Sequence, residues 1–291
     1  MLLTIINIVF PVFAIIGVGT VWGRLNRPDL ALVNRLNMEI FVPALVFAVM
    51  AGKDFQLAAY KQLALAATAV VIGSGLLSWP LARLLKVNAK TFVPPMMFNN
   101  TGNMGIPLLL LAFGESALPA AVLVFVIEML LHFTLGLYIL DSRTRLTGLL
   151  KNPIALAALA GLVFSLTGWT LPQALAVPLE MLGQISIPLM LFALGVRLLD
   201  VDLQDLRLGI AGAIVCPLAG MAVALALRPW LTLPEQQWGI LLVFSALPPA
   251  VLNYMVAEQY RQEPGRVASL VLIGNLGSLV FIPLALWLAL G

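Results

Sequence analysis

The chain has 291 residues, of which 62% are hydrophobic and 10% charged, and its mean hydropathy is +1.05. Soluble domains carry about 45–50% apolar and about 25% charged residues, so a water-soluble fold is excluded and a lipid bilayer is the natural solvent. Sixteen Lys and Arg against thirteen Asp and Glu leave a net charge of +3. That surplus is read as orienting the chain in a membrane rather than as a nucleic-acid footprint. The single cysteine, Cys216, rules out an internal disulfide.

A spanning helix needs about 20 residues. Ten apolar segments are predicted in chain order: 3–23, 36–52, 62–85, 92–113, 118–140, 153–169, 175–199, 208–230, 237–258 and 267–290. The first stretch has no leading Lys or Arg and reads as a span rather than a signal peptide. The loops after odd-numbered segments carry Arg24, Arg27, Arg35, Arg83, Lys86, Lys90, Arg143, Arg145, Lys151, Arg197, Arg207, Arg261 and Arg266. The other side carries only Lys53, Lys61 and Arg228. One span missed or added would scramble that split. The positive-inside rule then puts the basic loops in the cytoplasm and both termini outside. Trp22, Trp79, Trp169, Trp230 and Trp287 fall near segment ends, as an interfacial belt does.

The two halves echo one another. Pro11 and Gly19 of segment 1 match Pro153 and Gly161 of segment 6. Pro43 and Phe47 of segment 2 match Pro188 and Phe192 of segment 7. Leu123-Val-Phe-Val-Ile-Glu128 of segment 5 lies opposite Leu270-Val-Leu-Ile-Gly-Asn275 of segment 10. Five spans per repeat make the second half enter the membrane from the opposite side, the inverted topology of secondary transporters. The expected fold is an all-α polytopic membrane protein of two inverted five-helix repeats, 1–145 and 146–291.

Segments 4 and 9 occupy equivalent places and are the most interrupted. Segment 4 reads Pro94-Pro95-Met-Met-Phe-Asn99-Asn100-Thr101-Gly102-Asn103-Met-Gly105-Ile-Pro107, and segment 9 reads Ser245-Ala-Leu-Pro248-Pro249-Ala-Val-Leu-Asn253-Tyr254. Proline removes a backbone donor and clashes with the preceding turn. Broken backbone at membrane depth is tolerated only against protein or a watery cavity. Crossing half-helices would aim their N-termini, with free N–H groups and partial positive charge, at one point suited to an anion. A carboxylate held among Asn99, Asn100, Thr101, Asn103 and Asn253 is the functional expectation. The competing reading is that these carboxamides only tie the two breaks together.

Glu128 and His132, the only histidine, lie four residues apart on one face of segment 5. They read either as a proton-coupling pair or as a polar pair that locks packing. Glu39 and Glu180, near the starts of segments 2 and 7, read as interfacial acids. Glu258 at the end of segment 9 reads as a cation ligand or a solvated side chain. Asp200, Asp202 and Asp205 lack the glycine and terminal Glu of a calcium loop and read as a solvated connector. No metal spacing, nucleotide loop or nucleophile elbow is present. No enzyme and no resident cofactor are therefore expected.

The run Asn99–Leu109 and the run Ser245–Tyr254 followed by Ala257-Glu-Gln-Tyr260 resemble the two crossovers of the auxin efflux carrier family. The resemblance covers essentially the whole chain. It implies ten helices, with crossed helices 4 and 9 marked by Gly102, Gly105, Pro107, Pro248 and Pro249, and Asn100 as the principal substrate contact. It implies a dimerising scaffold from segments 1, 2, 6 and 7. A transport domain from segments 3–5 and 8–10 would move as an elevator. Family substrates are organic anions, auxin in plants and malate or malonate in some bacteria, which suggests a permease or efflux carrier in a bacterial inner membrane. The acid–lysine pair of the plant members has no secure counterpart, Lys61 being nearest. The related bile-acid symporter fold suggests sodium near Thr101, Asn103, Glu128 and Glu258, beside proton coupling or none. A membrane receptor that binds an organic anion without moving it is the alternative.

Overall fold

A computed structural model describes residues 1–53, 55–144, 149, 151–199 and 204–291. Arg145, Asp200 and Asp202 lie outside the described residues, as does the boundary between residues 145 and 146. Among the described residues the regular structure is helical: α1 (Leu2–Asn26), α2 (Ala31–Met50), α3 (Leu57–Leu84), α4 (Ala89–Met97), α5 (Thr101–Phe113), α6 (Glu115–Leu140), α7 (Pro153–Thr167), α8 (Gln173–Arg197), α9 (Leu206–Trp230), α10 (Glu235–Ser245), α11 (Val251–Gln259) and α12 (Pro264–Leu290). Seven of these, α1, α2, α3, α6, α8, α9 and α12, are long and apolar enough to cross a membrane, and α5 and α7 are shorter apolar helices. The chain is a polytopic, all-helical membrane protein. Segments 4 and 9 are each two helices, α4 with α5 and α10 with α11.

Local sequence explains the ends. Asn152 accepts from the N–H groups of Ile154 and Ala155, and Pro153 stands at the first helical position of α7, where its missing donor costs nothing. Asn88 caps α4 through the Lys90 N–H. Tryptophans 22, 79, 169, 230 and 287 are exposed, whereas Trp238 is buried under the Arg228 guanidinium, 4.3 Å from its ring centroid.

Helix contacts are set by small residues, which let backbones approach where lipid supplies no hydrophobic drive. A Cβ on Gly19 of α1 would lie 2.2 Å from the Phe192 carbonyl oxygen of α8, and one on Gly195 of α8 would lie 2.0 Å from that of Ile16 in α1. Gly161 of α7 meets Met50, and Gly183 of α8 meets Leu45, both in α2. Elsewhere Gly220 of α9 meets the Ser245 carbonyl at the end of α10, Gly75 of α3 meets Met97 of α4, and Gly274 of α12 meets Pro249.

A polar lattice closes the end of the bundle that carries the basic loops. Thr91 donates to Glu263, Gln262 donates to Thr91, and Arg266 bridges Glu263 at 3.0 Å and Asp205 at 3.1 Å. Asp205 also caps α9 by accepting from the Leu208 N–H at 3.0 Å. That N–H does most to hold the Asp205 carboxyl below its ordinary range; partial burial opposes it and the Arg266 guanidinium adds to it. A carboxylate held low contributes stability above its unfolded value, and this is lost as pH falls through the folded value. Asp205→Asn is therefore expected to melt below the wild type at neutral pH. The difference should close below about pH 4, which a melting-temperature series in detergent checks.

Candidate functional site

The two helix breaks pair with each other. Asn99 and Pro249 form an antiparallel bridge. The Asn100 N–H donates to the Pro248 carbonyl at 2.7 Å, and the Ala250 N–H donates to that of Phe98 at 2.9 Å. Backbone groups at the two breaks thus find partners inside the protein, as a hydrocarbon environment requires.

Side chains complete the joint. Asn99 Nδ2 donates to the Phe244 carbonyl at 3.1 Å, and Asn253 Nδ2 donates to that of Phe98 at 2.9 Å. Asn100 Nδ2 donates to Asn275 Oδ1 at 3.1 Å, and Asn275 Nδ2 donates to the Pro249 carbonyl at 3.1 Å. The Cys216 thiol donates to Asn99 Oδ1 at 3.4 Å. Asn99, Asn100 and Asn253 therefore all hold the crossing. Gly105 packs against Leu247 of the other break, and Pro107 is buried in the first turn of α5 after the π turn.

Beside the crossing lies a cavity of about 440 Å³ that reaches Asn99, Asn100, Thr101, Gly102, Asn103, Glu128 and His132. Its walls are apolar, among them Phe125, Met129, Phe133, Met190, Leu252 and Met255. Arg35, Glu39 and Arg197 line it at the basic-loop end, Arg35 and Glu39 being an exposed ion pair at 3.0 Å. Asn253, Glu258 and the prolines do not line it. Glu258 is exposed and accepts from the Tyr254 hydroxyl at 2.7 Å, so the structure brings Thr101, Asn103 and Glu128 to one cavity without Glu258.

The donors in the cavity come from backbone. Among the described residues, the N–H groups of Gly102 and Asn103 in the first turn of α5, and of Val251 and Leu252 in that of α11, have no hydrogen-bond partner. Gly102, Asn103 and Leu252 line the cavity. The Asn103 side chain is half-buried and makes no hydrogen bond among the described residues. Two half-helix N-termini thus present unpaired donors to one space, the arrangement that binds anions.

Glu128 and His132 are both buried, at 3% and 4% exposure, but they are not hydrogen-bonded to each other. Neither Glu128 carboxylate oxygen has a partner; the Asn99 backbone amide lies beside it, outside hydrogen-bonding geometry. The His132 ring stacks on Phe98, centroids 4.2 Å apart and planes 9° from parallel.

Three π-helical turns wall the same cavity: Asn37–Phe41 in α2, Thr101–Gly105 in α5 and His132–Gly136 in α6. A π turn inserts one residue into the helical ladder and is frequently found at functional sites. No propensity signals it, so sequence reading passed over these turns. It also passed over the cavity roles of Arg35, Arg197 and Phe125, and over Cys216 as a donor to the joint. A second cavity, of about 620 Å³, lies at the opposite end of α2 and α8, lined by Gly52, Tyr60, Glu115, Glu180 and Gln184. Glu180 and Arg197, at opposite ends of α8, line different cavities.

Interrupted helices that meet inside an apolar bundle and leave donors facing a cavity define a membrane transport protein rather than an enzyme. The chain belongs to the membrane transport protein family, the auxin efflux carrier family that its two motifs resemble, for the family's sequence profile matches residues 4–147 and 142–287. It is similar to an uncharacterized transporter of Methanocaldococcus jannaschii, 23% identical over 287 residues and 93% of each chain. It is also similar to an uncharacterized transporter of Methanothermobacter thermautotrophicus, 26% identical over 290 residues, 91% of this chain and 90% of the relative.

Proposed function

We propose that the protein is a secondary carrier for a small organic anion, whose carboxylate binds between the half-helix N-termini of α5 and α11. The observation that carries this reading is that the N–H groups of Gly102, Asn103 and Leu252, three residues lining one cavity, are without a partner. The apolar walls suit a carboxylate with an apolar or aromatic body, of the auxin type, better than a short dicarboxylate such as malate or malonate. Sodium or proton coupling would set the direction of net flux.

Alternating access is proposed to follow the family's elevator pattern, in ten spans arranged as two inverted repeats. The scaffold would be α1, α2, α7 and α8, pairing as a homodimer, and the moving body α3–α6 with α9–α12. Two observations support this division. The close glycine approaches at Gly19, Gly195, Gly161 and Gly183 fall within the first set, and those at Gly75, Gly220 and Gly274 within the second. The two cavities lie at opposite ends of α2 and α8, where a site carried by the second set would face each side in turn. The basic loops would face the cytoplasm of a bacterial inner membrane, with both termini outside.

The test is binding and flux of indole-3-acetate and malonate by the purified protein, in detergent and in sealed liposomes with imposed sodium or proton gradients. Asn103→Ala is expected to weaken anion binding about tenfold, the worth of one hydrogen bond to a charge, with the melting temperature unchanged. Absence of saturable binding of either anion would remove the carboxylate from this cavity, and binding that Asn103→Ala leaves intact would remove only the Asn103 side chain from the contact. Binding without flux would make the protein a receptor.

A further inference from the structure

The two partners of the Asn99–Pro249 bridge are met by different side chains. On the Pro249 side stands Asn275 of α12, whose Nδ2 donates to the Pro249 and Val271 carbonyls and whose Oδ1 accepts from Asn100. On the Asn99 side stands Glu128 of α6, the residue opposite Asn275 when the two halves are aligned. Its carboxylate is 3% exposed and both oxygens are without a partner. An amide offers a donor and an acceptor, and a neutral carboxyl group offers the same, whereas a carboxylate only accepts. An ionised Glu128 would also share a low-dielectric cavity with the bound anion, and like charges repel strongly there.

We infer that Glu128 is a proton-binding site loaded together with the anion, the protonatable counterpart of Asn275. The inference about loading rests on the anion reading of the cavity; the proton site itself does not. A proton from water adds to one carboxylate oxygen and leaves the group neutral beside the bound anion. One proton accompanies each anion, and a monocarboxylate crosses without net charge.

The geometry selects Glu128 over the other groups nearby. His132 lies on the same helix but is stacked on Phe98. Arg35, Glu39 and Arg197 line the cavity from α2 and α8 at the basic-loop end. Cys216 of α9 is engaged with Asn99. Lys61 and Arg83 of α3 and Glu235 of α10, helices also packed on α6, are exposed. Glu258, the other acid of segment 9, lies outside the cavity. Glu128 is the carboxylate at the crossing that lacks a partner.

The experiment is infrared difference spectroscopy of the full-length protein in lipid, titrated with pH. The wild type is expected to show the carbonyl stretch of a protonated carboxyl group that disappears as pH rises, and Glu128→Gln to lack it. Asn275→Asp is expected to add a second such band, and it carries the test should Glu128→Gln fail to fold. Identical spectra for wild type and Glu128→Gln at every pH, or no added band in Asn275→Asp, would overturn the assignment. In liposomes, uptake of indole-3-acetate is expected to take up protons in the wild type. In Glu128→Gln, whatever anion movement remains should carry no protons, and proton uptake unchanged in that variant would sink the coupling. If the wild type binds neither indole-3-acetate nor malonate, the carboxylate reading fails while the infrared band still decides the proton site.

Discussion

Gly220→Ala is expected to abolish transport and lower the melting temperature more than any other alanine substitution at a glycine in the second helix set. A Cβ at Gly220 would stand 2.0 Å from the Ser245 carbonyl oxygen. The obstacle is backbone, so no side-chain rotation relieves it. Ser245 is the last residue of α10, directly before the break. Its carbonyl cannot retreat without shifting residues 246–250, and with them the pairing of Asn100 with Pro248 and of Ala250 with Phe98. Overpacking of this kind costs about 1–3 kcal/mol. The control is Gly17→Ala, where nothing lies within 4 Å. There alanine favours the helix by about 1 kcal/mol, and stability should hold or rise. Melting temperatures of the two variants, with anion flux in liposomes, check both expectations. Equal behaviour would mean that the contact of α9 with the α10 terminus does not hold the crossing in place.

Asn100→Ala is expected to lose both stability and function, in contrast to Asn103→Ala. The Asn100 amide is buried and donates to Asn275 Oδ1. Its removal leaves a buried acceptor unsatisfied, at a cost of about 1–3 kcal/mol. Asn275 also holds the Pro249 carbonyl, so the loosened side chain frees the second break as well. The first turn of α11 begins just beyond it, and the donors of both half-helices lose their fixed relation. Anion affinity should fall by more than the about tenfold expected for Asn103→Ala, with a lower melting temperature. Wild-type affinity in an Asn100→Ala protein that melts early would separate the joint from the binding site.

The helix breaks were legible because proline and glycine act on the backbone directly. Pro248 and Pro249 stand in the second break itself, whereas Pro94 and Pro95 stand inside α4, which runs on through them to Met97 before the first break. The separate roles of Asn99, Asn100, Asn103 and Asn253 were not legible. All four are the same residue type, and only the crossing decides which amides face backbone carbonyls and which faces open space. Asn99, Asn100 and Asn253 tie the two breaks together, whereas the Asn103 side chain stands apart from them at the cavity. Glu128 with His132 shows the same limit. Spacing of four placed them on one face of α6, but a π turn beginning at His132 and the Phe98 ring give the imidazole another neighbour. Glu258 read as a cation ligand or a solvated side chain, and α11, a nine-residue helix, carries it to an exposed end.

Among the described residues, the π turns at Asn37–Phe41, Thr101–Gly105 and His132–Gly136 all fall in the first half of the chain. Two identical inverted halves would make the inward-open and outward-open forms equivalent by a two-fold rotation and equal in energy, each occupied half the time. Every feature present in one half only tilts that balance. On the proposed two-repeat reading, a carrier with its irregular turns gathered in one half of the chain has a preferred resting state built into its backbone, before any substrate or gradient acts on it.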